Sequence, residues 1–268
     1  MRSSRVFWAV LLVLLGLLLL ASNLGFISLN IWSLFWPAFL ILLGVWFLIG
    51  TTRGTSELVM EEGSVDLDGA ARAVVVVKHG AGMLEINGGA ESGKLVSGTF
   101  ANGLDPRVKK VGDALDVVLQ PARVPFPEVI FPWNWISGKG FHWDCGFTTE
   151  IPLDLVFEIG AVDARLDLTD VQVKNLALKT GASSTNLKLP AKAGMTHVKV
   201  EAGAASVEIT VPEGVAARVE ASAGLASVDV DQARFPKQNG IYQSGDYASA
   251  ENKVDIRIET GLGSIDIR

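Results

Sequence analysis

The chain has 268 residues, is 49% hydrophobic and carries a net charge of −6. Arg2, Arg5 and Arg53 are the only charged residues up to position 53, so the rest of the chain holds the other 20 basic residues and all 29 acidic ones, a net −9. An acidic domain of this kind speaks against nucleic acid as a partner, because phosphate contacts need clustered Lys and Arg, and a lone cysteine, Cys145, excludes an internal disulfide.

The chain opens with two apolar runs, Val6 to Ala21 and Ile31 to Ile49, the second interrupted only by Ser33 and Pro37. At the rise of an α-helix they reach roughly 24 and 28 Å, enough for a bilayer core. The connection Ser22 to Asn30 is short and uncharged, and Trp8, Trp32, Trp36 and Trp46 lie near the run ends, where indoles favour the headgroup level. The pattern predicts a two-helix transmembrane hairpin over residues 1–53. A cleaved leader fits the first run by length, but a second apolar run following at once favours retention. Arginines flank both outer ends, and positive flanks stay inside. The expected protein is a multi-pass membrane protein with its C-terminal part in the cytoplasm.

Residues 54–268 are expected to form an all-β repeat domain. After a short linker, an irregular first half over 64–150 shows period-two alternation at Val65 and Leu67, Val75 and Val77, Leu84 and Ile86, and Leu115 and Val117. Within it, Pro121 to Phe147 gathers Phe126, Phe131, Trp133, Trp135, Phe141, Trp143 and Phe147 with Pro125, Pro127 and Pro132. One reading is a hairpin that plugs the end of a β stack, since open stack ends need capping. The other is an exposed patch for a partner, with Trp133, Trp135, Phe141 and Trp143 as its contacts.

A regular repeat of about 21 residues follows over 153–230. Gly160, Gly181, Gly203 and Gly224 mark it, with small or apolar residues three and five positions before each and an apolar residue six after. Gly80 and Gly261 belong to two outlying copies, the latter in a last repeat over 254–268. Alternation on both sides of a glycine predicts strand, tight turn, strand. The glycines serve turns that need positive φ, or a close approach of strands. A strand with one apolar face cannot bury it alone, so the copies must stack on a shared core, as solenoid rungs or as a folded meander. An insertion over 232–253 carries Tyr242 and Tyr247 among Asn, Gln, Ser and Gly, a composition suited either to binding or to a solvated excursion.

No catalytic constellation emerges. His79, His142 and His197 are scattered. His142, Trp143, Asp144 and Cys145 put three ligand types in four positions, but on a strand His142 and Asp144 face one side and Cys145 the other, so no metal site is expected. Gly80-Ala81-Gly82 and Gly261-Leu262-Gly263 are followed by no helix that could present its N-terminus to a phosphate. Asp163, Asp167, Asp170, Glu201, Glu208, Glu220 and Asp229 alternate with apolar residues and so fall on solvated strand faces. The expectation is a protein without catalytic residues or cofactor.

The hairpin, with Phe7-Trp8, Asn23-Leu24-Gly25, Trp36-Pro37 and the following Leu-Ile-Leu-Leu-Gly, resembles the LiaI/LiaF-like bacterial membrane region. The part from about Ser64, with Val-Lys-His-Gly-Ala-Gly and the Gly-Ala repeats, resembles the toast-rack β domain often attached to it. The resemblance implies a role in the response to cell-wall-active antibiotics, as a membrane partner that restrains a sensor histidine kinase. It implies no catalytic residue.

The sequence thus leads to a membrane-anchored, non-enzymatic envelope-stress regulator acting through protein–protein contacts. Its partners are the bilayer, another membrane protein such as a sensor kinase or a homologue, and a second copy through the edges of the rack. Trp133, Trp135, Phe141, Trp143, Tyr242 and Tyr247 are the candidate contacts. The alternative is a structural or adhesive β-repeat scaffold displayed at the cell surface.

Overall fold

The structure, a computed structural model, describes Trp36, Pro37, residues 39–41, Gly44, and residues 60–122 and 141–268. The chain divides into two compact units, Met1–Thr55 and Ser56–Arg268. In the first, the described residues are helical; the rest of the expected hairpin lies outside the described residues. Among the described residues, no helix is long and apolar enough to cross a membrane.

The second unit is all β. Its strands are β1 (Met60–Asp66), β2 (Arg72–Asn87), β3 (Lys94–Ala101), β4 (Leu104–Val111), β5 (Ala114–Pro121), β6 (His142–Phe147), β7 (Leu153–Asp167), β8 (Val173–Thr180), β9 (Ser184–Lys188), β10 (Met195–Thr210), β11 (Ala216–Val230), β12 (Lys237–Gln238), β13 (Ile241–Gln243) and β14 (Lys253–Ile267). Five of these, β2, β7, β10, β11 and β14, run unbroken through a repeat glycine. The expected tight turn is therefore corrected. The chain bends at the glycine without reversing, so each long strand is one rung with two arms. Only the rung of Gly181 is divided, into β8 and β9.

Burial shows why the bend occurs there. In β7, Leu153, Leu155, Phe157 and Ile159 point inward before Gly160, and Val162, Ala164 and Leu166 after it. The inward set changes parity at the glycine, and both arms feed one continuous core. β10 repeats the pattern with Val198, Val200 and Ala202, then Ala205, Val207 and Ile209. Each fully buried Val, Leu or Ile contributes about 1.5–3 kcal/mol, so the shared core outweighs the cost of bending.

The rungs stack in parallel in the order β2, β7, β8/β9, β10, β14, β11. The sixth copy in sequence thus lies between the fourth and fifth. β14 pairs with β10 from Met195↔Lys253 to Ile209↔Ile267, and on its other side with β11 from Ala216↔Lys253 to Val230↔Ile267. The insertion over 232–253 carries the chain past the end of the stack and back.

The repeat glycines form a column at the bend. None of the six has a positive φ, so close approach is the operative reason. A Cβ on Gly203 would lie 3.0 Å from the carbonyl oxygen of Gly181, one on Gly261 2.9 Å from that of Gly203, and one on Gly224 3.1 Å from that of Gly261. Gly80 begins the column and meets nothing within 4 Å.

Beyond β2 the rung is interrupted. β5 pairs with β2 over Arg72–Val77, and β6 with β2 over Met83–Asn87. The two lie beside the two arms of β2, and residues 122–141 join them in sequence. Of that connection, residues 123–140 lie outside the described residues.

Candidate interaction surfaces

The strands flanking the aromatic segment fix what its described ends can do. Trp143, Cys145 and Phe147 alternate inward on β6 and are fully or almost fully buried. Trp143 stacks edge-on against Phe100 at 5.1 Å and lies 5.0 Å from the ring of His79. It belongs to the core and is not accessible to a partner, which corrects its place among the expected contacts. Phe141 is half-buried at the start of β6, with φ 62°. Trp133 and Trp135 lie outside the described residues.

His79 occupies the last inward position before Gly80 and is 1% exposed. Burial pushes its pKa down to about 4; the Phe141 backbone works against this and His142 reinforces it. Among the described residues, neither ring nitrogen has a hydrogen-bond partner of good geometry, nor does Trp143 Nε1. The Cys145 thiol is buried and its pKa is pushed up to about 12 by desolvation, with the charge of Asp144 adding to the shift. A thiol so protonated and enclosed is a packing residue.

On the outward face of the same strands, His142 and Asp144 meet Glu85 of β2, their ligand atoms all within 4.8 Å of one another. These three side chains are the right types for a divalent cation. Arg165 Nη1 already donates to Glu85 Oε1 at 2.6 Å, so a cation there would compete with an existing ion pair. Several other carboxylates also fall outward and form ion pairs. Lys78 meets Glu158 at 3.1 Å, Lys188 meets Asp167 at 2.9 Å, and Arg268 meets Glu208 at 2.7 Å.

The second candidate region is the insertion over 232–253. It packs Phe235, 1% exposed, under the end of the stack, and β13 pairs with β11 through Arg218↔Gln243 and Val219↔Tyr242. Ser244 extends this pairing. Its Oγ accepts from Ala217 N at 2.8 Å, and its own N–H donates to Ala217 O at 2.9 Å. Tyr242 packs against the core, with Lys237 Nζ 4.7 Å from its ring centre. Tyr247 is half-buried under Lys253, and desolvation first, then Asp255, raises its pKa. The insertion is thus a cap over one arm of the last rung, with both tyrosines partly engaged in it. The sequence signal for this is Phe235, a large apolar residue among polar neighbours.

Three family profiles match the chain. The LiaI-LiaF-like transmembrane region matches residues 6–48, the N-terminal domain of toast_rack (DUF2154) residues 54–210, and the C-terminal domain of the cell wall-active antibiotics response protein LiaF residues 159–267. The chain belongs to the toast-rack, LiaF-like family. The toast-rack and LiaF matches overlap over residues 159–210, which include the repeat glycines Gly160, Gly181 and Gly203. The transmembrane-region match makes this toast-rack protein a membrane protein. Among solved structures, the crystal structure of a "putative cell adhesion protein" from Clostridium sporogenes is similar, with TM-score 0.68 and 21% identity over 79% of this chain and 99% of that one. At that identity it shares the fold alone. No curated protein matches the chain.

Proposed function

We propose that this toast-rack protein is a non-enzymatic regulator of the envelope-stress response. It is anchored by two helices, carries its β domain in the cytoplasm and restrains a sensor kinase through protein–protein contact. The observation that carries this reading is the union of the LiaF-like match with the membrane-region match in one chain. The arrangement of polar groups supports it. Among the described residues, the two groups with strongly displaced pKa values, His79 and Cys145, are sealed in the core, whereas a catalytic group has to reach its substrate. Many of the described carboxylates instead stand in solvated ion pairs.

The test is to cross-link the full-length protein in cells challenged with a cell-wall-active antibiotic, and to identify what co-purifies in detergent. Recovery of a sensor kinase, with the kinase output rising when the protein is deleted, supports the reading. Unchanged kinase output on deletion overturns it.

The description of the Clostridium sporogenes structure favours a second reading, an adhesive scaffold displayed outside. An exposed reporter such as Ser249→Cys separates the two. Labelling by an impermeant maleimide in intact cells would place the domain outside, and protection until lysis would place it inside.

A further inference from the structure

The two ends of the rack are finished differently. At the β2 end the sheet branches: beyond β5 the outermost strand is β4, which carries Pro106, Arg107, Lys109 and Lys110, and beyond β6 and β3 it is β1, which carries Glu61 and Glu62. Proline and like charges on an edge prevent another strand from adding to it. At the far end the last rung is β11. The cap covers it only through Arg218 and Val219, and from Glu220 to Val230 its outer edge pairs with no described strand. Residues 221–228, Ala-Ser-Ala-Gly-Leu-Ala-Ser-Val, carry no charge and no proline.

The residue just after each repeat glycine sharpens the contrast. Along the column it is Ala81, Ala161, Ala182 and Ala204, then Leu262 and finally Leu225. Leucine appears only on the two rungs at the open end, where Leu262 is 51% and Leu225 86% exposed. Ala223 is exposed as well, although Ala202 and Thr260, its counterparts directly before the bend on the two rungs inward, are each 7% exposed. A further rung is what would cover these positions.

We infer that the β11 edge is a self-association surface, on which a second copy of this chain adds its own β11 in antiparallel register about a two-fold axis. Leu225 is the midpoint of the free stretch 220–230. An axis that bisects the bend exchanges the two arms of the rung and sets Leu225 beside its counterpart. The apolar tip of one copy then covers that of the other, and no charge lies between residues 221 and 228 of either strand. Because β1 and β4 are guarded, head-to-tail addition is blocked. The contact is isologous and closes as a dimer. Anchorage of both copies in one membrane raises their effective concentration. This inference stands independently of the regulatory reading.

The test uses the full-length protein in detergent micelles, with buried Cys145 left in place. Leu225→Cys and Val108→Cys, on opposite ends of the rack, are oxidised with copper phenanthroline. The expected result is a disulfide-linked dimer of Leu225→Cys forming on the order of 100-fold faster than that of Val108→Cys, since the first pair is held together and the second meets by diffusion. Sedimentation should give a dimer for the wild type and a monomer for Leu225→Lys, with unchanged circular dichroism. Equal cross-linking rates for the two cysteines would overturn the inference. So would a dimer that survives Leu225→Lys, which assigns association to the anchor, or a Leu225→Cys cross-link in cells to a protein of different mass.

Discussion

The carbonyl oxygen of Gly80 stands where a methyl group on Gly160 would have to go. The obstructing atom is backbone on a neighbouring rung, so it cannot swing aside as a side chain would. Gly160→Ala must push two rungs apart and should cost about 1–3 kcal/mol, the usual range for overpacking. Gly80→Ala meets open space and should change stability by less than about 0.5 kcal/mol. Thermal unfolding of both full-length variants in detergent checks the difference. Equal losses would show that the column is not limited by close approach.

His79 links stability to pH through its burial. Its pKa falls from the ordinary 6.5 to about 4 in the folded protein. Above pH 6.5 the ring is neutral in both states and adds no pH dependence. Between about pH 6.5 and 4 the unfolded chain takes up a proton that the folded chain refuses, so stability falls as pH falls. The full loss, reached below the folded pKa, is about 3 kcal/mol. His79→Leu should flatten that part of the curve. At pH 7 it should be neutral or stabilising, because it removes from the core two ring nitrogens that have no well-formed hydrogen bond among the described residues. Urea midpoints at pH 7.5 and 5 give the comparison.

Cys145 should resist alkylation. With its thiol buried and its pKa pushed up to about 12, the native protein should take up no iodoacetamide at pH 8 within an hour, and the denatured protein should take up one equivalent. Intact mass spectrometry reads both. Fast native labelling would mean that β6 opens readily.

Ser244 mimics a strand residue with its side chain. Ser244→Ala leaves the Ala217 N–H without a partner in a buried position, which should cost about 1–3 kcal/mol. The loss should appear first as protease cleavage within residues 232–253, since the cap is joined to β11 by few bonds. Ser244→Thr keeps the acceptor and should restore resistance.

The repeat was legible because each glycine is flanked by alternation whose parity changes across it, as at Leu155 and Phe157 before Gly160 and Leu166 after. The conformation at the glycine was not. A bend within a strand and a turn between strands leave the same apolar pattern, and only the neighbouring rung's carbonyl shows which is present. Stacking order was equally hidden, because Val219 fits beside Val198 as well as it does beside Ile256; the path of the 232–253 insertion decides. Trp143 was misplaced with the exposed aromatics although Trp143, Cys145 and Phe147 already alternate with His142 and Asp144. That period-two signal was the better guide, and local aromatic density overrode it.

The placement of β14 between β10 and β11 has a consequence for how the domain assembles during synthesis. β11 leaves the ribosome well before β14, yet its long parallel partner does not exist until residues 253–267 have followed. The rungs from β2 to β10 can zip as they emerge, while β11 must wait unpaired or pair provisionally with β10 and then yield its place. Loss of residues 253–268 would therefore open a gap inside the stack rather than fray its end.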